Sequence, residues 1–337
     1  MLPPSRPQVP SPSGRGFYHR VRLPNTIGEG GISMEFGICV PHYGKPVDIE
    51  RILGVARSAE ELDFASVWVT DHLFVPRTMD IIYRDNMLEP LALLSHLAAV
   101  VPRVRLGTSV IILPYRNPII VAKMLATIDQ LSHGRLIFGA AVGWMEEEFR
   151  ALKVPFAERG ALSDESLRII RDLWTHGVVH HQGTFYQYED MQASPRPVQQ
   201  PAPPIWIGGN SARARRRVAE LGDGWHTSSL NAAAMAPGCA HLRELWDKHG
   251  RQGQPVFSAR TELSIEGVSD RVLSYPPRAG RPPRMPMGGS VGAIVDALGA
   301  FREIGVEHVV FETSTQSHQS TLATMETFIQ KIQPQLA

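Results

Sequence analysis

Between Val104 and Trp144 the chain reads strand, helix, strand, and neither strand has a wet face. Val104–Pro114 is almost continuously apolar, Ile119–Ser132 carries apolar residues at helical spacing, and Arg135–Trp144 stays apolar until it ends in small residues and an aromatic. Few folds accept such a unit. Continuous rather than alternating apolar runs around an amphipathic helix point to parallel strands buried on both faces.

The unit repeats along the chain. Glu35–Pro41 and Ser66–Thr70 are short apolar strands on either side of an amphipathic helix over Ile49–Leu62, and Leu88–Val100 is a second helix closed by Pro102. His133 and Gly134 end the helix of the opening unit, glycine suiting a left-handed cap. After a helix over Ala161–Trp174 and a Pro- and Gln-rich excursion over Gly177–Pro204, order resumes. Pro204–Ile207 is the fifth strand, Ser211–Leu221 a helix, Gly224–Ser229 the sixth strand, Cys239–His249 a helix and Phe257–Ile265 the seventh strand. A second excursion covers Gly267–Pro286. Ser290–Ile304 is a helix with Ser290 as N-cap, His308–Glu312 the eighth strand, and Thr321–Ile332 the closing helix. Two doubly wound halves would also alternate, but Pro41–Gly44 lacks the glycine spacing of a dinucleotide fingerprint. The expectation is α/β, a (β/α)8 TIM barrel over residues 34–334 with insertion loops after strands four and seven. Chemistry in that fold sits at the C-terminal ends of the strands.

Bulk properties exclude several classes. A charged fraction of 20%, a formal net charge of +1 and no block of like charges give no support for nucleic acid as a partner. No apolar run is long enough to cross a membrane. Cys39 and Cys239 are the only cysteines, too few for a disulfide framework or a metal cluster, so reduced thiols and a cytoplasmic location are expected. Residues 1–33 are rich in Pro, Arg, Gly and Ser without an apolar signal region; they read as a disordered extension, and Met34 is an alternative start.

The strand ends supply the candidate residues. Asp71 and His72 close the second strand; the histidine can exchange a proton near neutral pH, while the dull reading is a capping Asp and a structural His. Thr108 and Ser109 are hydroxyls inside an apolar strand, bound either to a ligand or to the neighbouring ladder. Gly139–Trp144 ends the fourth strand in small residues that would let a flat ligand approach, with Trp144 as a wall, or would serve tight packing. Glu146–Glu148 read as a first helical turn favoured by the helix dipole, not as catalytic groups. Gly208, Gly209, Asn210 and Ser211 open a helix, where free N–H groups make a seat for phosphate. No Asp, Glu or His set has a recognised metal spacing, so no metal is expected. A phosphate seat and small residues at the third and fourth strands suggest a flavin-like cofactor across the barrel mouth.

Trp68 with Asp71 and His72, Leu106–Val110, the stretch from Asn117 through Leu131–Leu136, Gly143–Phe149, Pro204–Gly209, Gly222–Trp225 and Gly289–Phe311 together resemble the luciferase-like monooxygenase superfamily, most closely its F420-dependent oxidoreductase branch. The resemblance runs from about Met34 to Ile332. It implies a TIM barrel that binds coenzyme F420 or FMN at its C-terminal face, and a homodimer. It further implies a non-prolyl cis peptide at Ser109–Val110 behind the cofactor ring and Asp71 and His72 beside the reactive ring as catalytic residues. Thr108, Ser109, Val110, Gly143 and Trp144 would form the ring site, with the cofactor phosphate at Gly208–Ser211. Two departures argue against sugar-phosphate oxidation: Trp144 stands where those dehydrogenases carry a glutamate, and Pro76 where they carry a tryptophan.

The function this implies is F420-dependent hydride transfer to or from a small organic substrate. The alternative is an FMN-dependent monooxygenase using reduced flavin and oxygen. A third possibility, different in class, is a binding or structural subunit with a blocked mouth.

Overall fold

The computed structural model describes residues 34–44, 47–77, 86–270, 284–313 and 316–336. The reading of residues 1–33 lies outside them. In chain order the first elements are β1 (Glu35–Cys39), α1 (Ile49–Glu61), β2 (Ser66–Val69), α2 (Pro90–Val100), β3 (Arg105–Thr108), β4 (Ile111–Ile112) and α3 (Pro118–Leu131). There follow β5 (Leu136–Ala141), α4 (Glu146–Ala151), α5 (Arg159–Thr175), β6 (Val178–Gln182), β7 (Gln187–Gln192) and β8 (Ile205–Gly208). The last are α6 (Ala212–Leu221), β9 (Gly224–Ser228), α7 (Ala232–Lys248), β10 (Val256–Ile265), β11 (Met287–Gly289), α8 (Val291–Glu303), β12 (His308–Glu312) and α9 (His318–Thr327).

Eight parallel strands close on themselves in the order β12, β1, β2, β3, β5, β8, β9, β10, with β10 paired to both β9 and β12. The expected (β/α)8 barrel is the fold. The helices cover its outer face, where the long apolar runs of the strands meet side chains such as Ile52, Leu94, Leu125, Ile170, Val218 and Leu298. This is why the strands lack polar alternation: both faces are covered.

The lumen is filled by a different set of residues. Trp68 and Trp206 lie inside with Cys39, Ile137 and Val310, their rings stacked at 5.5 Å. Such rings fit a narrow barrel only where facing positions carry no side chain. A Cβ on Gly107 would lie 2.3 Å from the Trp68 ring, one on Gly37 2.6 Å from Trp68 Nε1, and one on Gly224 2.8 Å from Trp206. Large and small residues thus interlock across the lumen, as close packing requires. On the outside, buried Arg135 donates to the carbonyls of Ala98, Val101, Val104 and Ser132 at 2.5–3.0 Å. It therefore ties the end of α2 to the entry of β3 and satisfies carbonyls that the helix end leaves open.

Four sequence readings change. The third strand, expected over Val104–Pro114, is interrupted: β3, paired with β2 and β5, ends at Thr108, the Ser109–Val110 peptide is cis, as the resemblance implied, and Ile111–Ile112 pairs again with β5. The excursion after the fourth strand contains an antiparallel hairpin, β6 with β7. Its tip is held because the Glu165 carboxylate on α5 accepts from the N–H groups of Thr184, Phe185 and Tyr186. Helix α7 starts seven residues earlier than the Cys239 expected, capped by Asn231 and running through Pro237. The closing helix begins at His318 rather than Thr321, and Phe328–Ile332 form a π turn. The second excursion lies largely outside the described residues.

Gly107→Ala is expected to lower the unfolding free energy by about 1–3 kcal/mol through overpacking against Trp68, measured as a fall in Tm on thermal denaturation. An unchanged Tm would show that the ring can yield.

Candidate functional site

The C-terminal ends of the strands converge on one mouth, and the residues singled out in the sequence sit on four consecutive strands, β2, β3, β5 and β8. Asp71, 2% exposed, is engaged at both carboxylate oxygens. Arg116 donates to it through both terminal nitrogens at 2.6 and 2.9 Å, and the Ile112 N–H at 2.9 Å. Burial works against the Arg116 cation, but Asp71 and then Glu89 outweigh it and raise its pKa. Asp71 is thus a support beneath the rim, one that anchors the chain after the cis peptide, and its oxygens are committed to that task.

His72 stands beside it with its ring edge-on to Trp144, centroids 5.6 Å apart. Its Nδ1 lies 2.6 Å from Glu148 Oε2. Glu148 is fully buried, whereas Glu146 and Glu147 stay exposed on the first turn of α4. The same carboxylate accepts from the Tyr115 hydroxyl at 2.8 Å and from the N–H groups of Leu73 and Phe74 at 2.8 and 3.2 Å. Burial pushes the Glu148 carboxyl upward, yet the hydrogen bonds from His72, Tyr115 and Leu73 prevail and hold it below the ordinary carboxylate range. Burial and the neighbouring Glu148 together push the Tyr115 phenol upward. The sequence reading treated the three glutamates alike, as a first helical turn without a catalytic role. Helical geometry separates them, and the third turns inward onto His72.

The two hydroxyls of β3 part company. Thr108 Oγ1 donates to the Gly139 carbonyl at 2.8 Å and accepts from the Gly139 N–H at 2.9 Å, so its side chain stitches β3 to β5. Ser109 turns into the lumen, where its hydroxyl lies 2.7 Å from His226 Nε2. Gly143, with φ at +77°, is required by packing: a Cβ would lie 2.7 Å from Ile112 and 2.9 Å from Phe149. A Cβ on Gly208 would lie 2.9 Å from Val110. Beyond β8, Gly209 takes φ +113° and Ser211 caps α6 by accepting from the Ala214 N–H. Asn210 donates to the Ser228 carbonyl at 3.1 Å, while its Oδ1 is buried with no partner among the described residues.

The opposite wall was not legible as a site. Arg260 on β10 reaches across the lumen. One terminal nitrogen donates to the Ser109 carbonyl at 2.7 Å and to Thr70 Oγ1 at 3.2 Å, the other to the Tyr43 hydroxyl at 2.8 Å and to Glu312. Tyr43 also donates to Glu312. His226 joins Ser109 to Ser258, its Nδ1 2.8 Å from Ser258 Oγ. His42 accepts from the Thr70 N–H at 2.8 Å, and burial brings its pKa down to about 4. A period of two marks the inward positions here: Ser258, Arg260 and Glu262 on β10, His308 and Glu312 on β12. That alternation of polar residues in otherwise apolar strands was the signal available. Among the described residues, no group of three or more His, Cys, Asp or Glu side chains is placed to hold a metal, and His181 of the excursion faces Glu165.

Burial, with the nearby Arg260 charge, brings the His226 imidazole down to about 3. The folded ring therefore stays neutral where the unfolded ring, with a pKa of about 6.5, takes up a proton. Over that window the unfolded state binds more protons, so stability falls on acidification by about 1.4 kcal/mol per pH unit from this ring alone. His226→Gln removes that contribution. In urea titrations between about pH 6 and pH 4 its unfolding free energy should decline less steeply than the wild type's by about that slope; equal slopes would mean that the buried ring takes up its proton in the folded state.

Residues 34–272 match the luciferase-like monooxygenase family. An uncharacterized protein of Mycobacterium tuberculosis is 31% identical over 233 residues, 65% of this chain and 81% of the relative. The FMNH2-dependent dimethylsulfone monooxygenase of Pseudomonas putida is 33% identical over 151 residues, 44% of this chain and 41% of that protein. Among solved structures, an F420-dependent secondary alcohol dehydrogenase in complex with an F420–acetone adduct superposes with a TM-score of 0.75, covering 90% of this chain and 99% of that one at 18% identity, a likeness of fold. With the barrel and the family match in agreement, the chain belongs to the luciferase-like monooxygenases.

Proposed function

We propose that this protein is an FMNH2-dependent monooxygenase that oxygenates a small organic molecule at the barrel mouth. The observation that carries the reading is the likeness to the FMNH2-dependent enzyme of Pseudomonas putida at 33% identity. The F420 reading takes second place, because the F420-dependent dehydrogenase resembles this chain at 18% identity, where fold alone is shared.

The residues of the mouth fit a flavin nucleotide. The turn Gly208–Gly209 leads into the ten-residue helix α6, whose first N–H groups suit a phosphate. Next to it, Arg215 is drawn to the same turn by donating to the Asn210 carbonyl at 3.1 Å. The buried Asn210 Oδ1 is an acceptor in want of a donor, which a ribityl hydroxyl would supply. Val110 and Trp144 offer an apolar and an aromatic surface to a flat ring. Ser109 lies behind them, its carbonyl fixed by Arg260. In these roles Ser109, Val110, Gly143, Trp144 and Gly208–Ser211 form the cofactor wall. Thr108 and Asp71 support it from behind, and His72 is the group that handles protons beside the ring. A bound reduced flavin supplies the electrons that activate oxygen; the chain orients it, shields it from water and holds His72 in place.

Titration of the protein with FMN, anaerobic FMNH2 and F420, each alone, tests the reading. Reduced FMN should bind more tightly than F420, and Asn210→Ala should weaken FMN binding by about fivefold to tenfold, the worth of about one hydrogen bond. Tight binding of F420 with none of either FMN form would overturn the proposal in favour of the second reading.

A further inference from the structure

We propose that Glu148 fixes the tautomer of His72, so that Nδ1 carries the proton of the neutral ring and Nε2 is its proton-accepting nitrogen. The inference rests on the reading of His72 as the proton-handling group of the flavin site, and makes Glu148 its positioning residue.

The argument is one of donors and acceptors. The Glu148 side chain is fully buried, and it meets three donors and one ring nitrogen. Oε1 takes the N–H groups of Leu73 and Phe74, and Oε2 takes the Tyr115 hydroxyl and faces His72 Nδ1 at 2.6 Å. Backbone N–H groups can only donate, so Oε1 is fixed as an acceptor. An ionised carboxylate has only acceptor oxygens, and the ring nitrogen against Oε2 must therefore donate. In a neutral imidazole the other nitrogen is then the acceptor. The ring cannot swing away from this arrangement, because Trp144 lies edge-on to it and the backbone following His72 is pinned through Leu73 and Phe74 to the same carboxylate. One side chain on α4 thus sets both the orientation of His72 and which of its nitrogens carries the proton of the neutral ring.

Replacement of the carboxylate by an amide makes a sharp prediction. In Glu148→Gln the amide carbonyl must stay with the two backbone N–H groups, which cannot turn round, leaving the NH2 group toward His72 and Tyr115. The tyrosine hydroxyl can rotate to accept, and the imidazole can accept only by moving its proton to Nε2. A merely structural glutamate would not produce such a reversal.

The test is 15N NMR of protein labelled at histidine, at alkaline pH and without cofactor, with the His72 signals assigned by their loss in His72→Asn. The wild type should show the Nδ1–H tautomer. Glu148→Gln should make the two ring nitrogen resonances exchange places, and Tyr115→Phe should leave them as in the wild type. A wild-type ring in the Nε2–H form overturns the proposal, whether or not the glutamine variant folds; so does a folded Glu148→Gln protein with unchanged tautomer. FMN titration of the same samples separates the two readings. Loss of flavin binding beside an Nδ1–H ring would remove the proposed function and leave the tautomer assignment standing.

Discussion

The charge of Arg260 has to be neutralised inside a barrel, and much of the mouth is arranged around that requirement. A guanidinium in so confined a space is costly unless it is paired and its donors are met. Glu312 on the neighbouring strand provides the countercharge, Tyr43 bonds to both partners, and Thr70 and the Ser109 carbonyl accept from the other terminal nitrogen. The side chain therefore links β10 to β12, β1, β2 and β3 across the lumen. Below it, Trp68 and Trp206 fill the barrel to close packing; above it the mouth opens. Arg260 is thus the boundary between a packed core and a site.

The strand-end residues divide into two sets by the work they do. Asp71 and Thr108 are committed to holding the chain in place: Asp71 to Arg116 and Ile112, and Thr108 to Gly139. His72, Trp144 and Ser109 lie nearer the mouth, and each is positioned by a partner far away in sequence. Residues that hold backbone and residues that face the mouth are neighbours along the chain but distinct in space. A dipeptide such as Asp71–His72 therefore carries one residue of each kind.

That division explains how much of the site was legible. Residues on β2, β3, β5 and β8 were found because small, hydroxyl-bearing or paired polar residues interrupt apolar strands there. Glu148 was missed because three successive glutamates look alike until helix geometry turns the third inward. Arg260, His226 and Glu312 were missed because the polar residues of β9, β10 and β12 lie far apart in sequence and no local motif joins them before the barrel closes. The F420 expectation came from local motifs that the whole superfamily shares, so it fixed the family more firmly than the cofactor.

The sequence by itself determined the barrel, because eight apolar strands alternating with amphipathic helices have few other ways to bury both faces. It also indicated which end of the barrel, and which strand ends there, to inspect. Only the tertiary structure decided which side chain meets which: that Asp71 belongs to Arg116, His72 to Glu148 and Ser109 to His226. Those pairs are separated by 45 to 117 residues. Local periodicity records which face a residue takes, while the partner across the lumen is set by strand order and register once the barrel has closed.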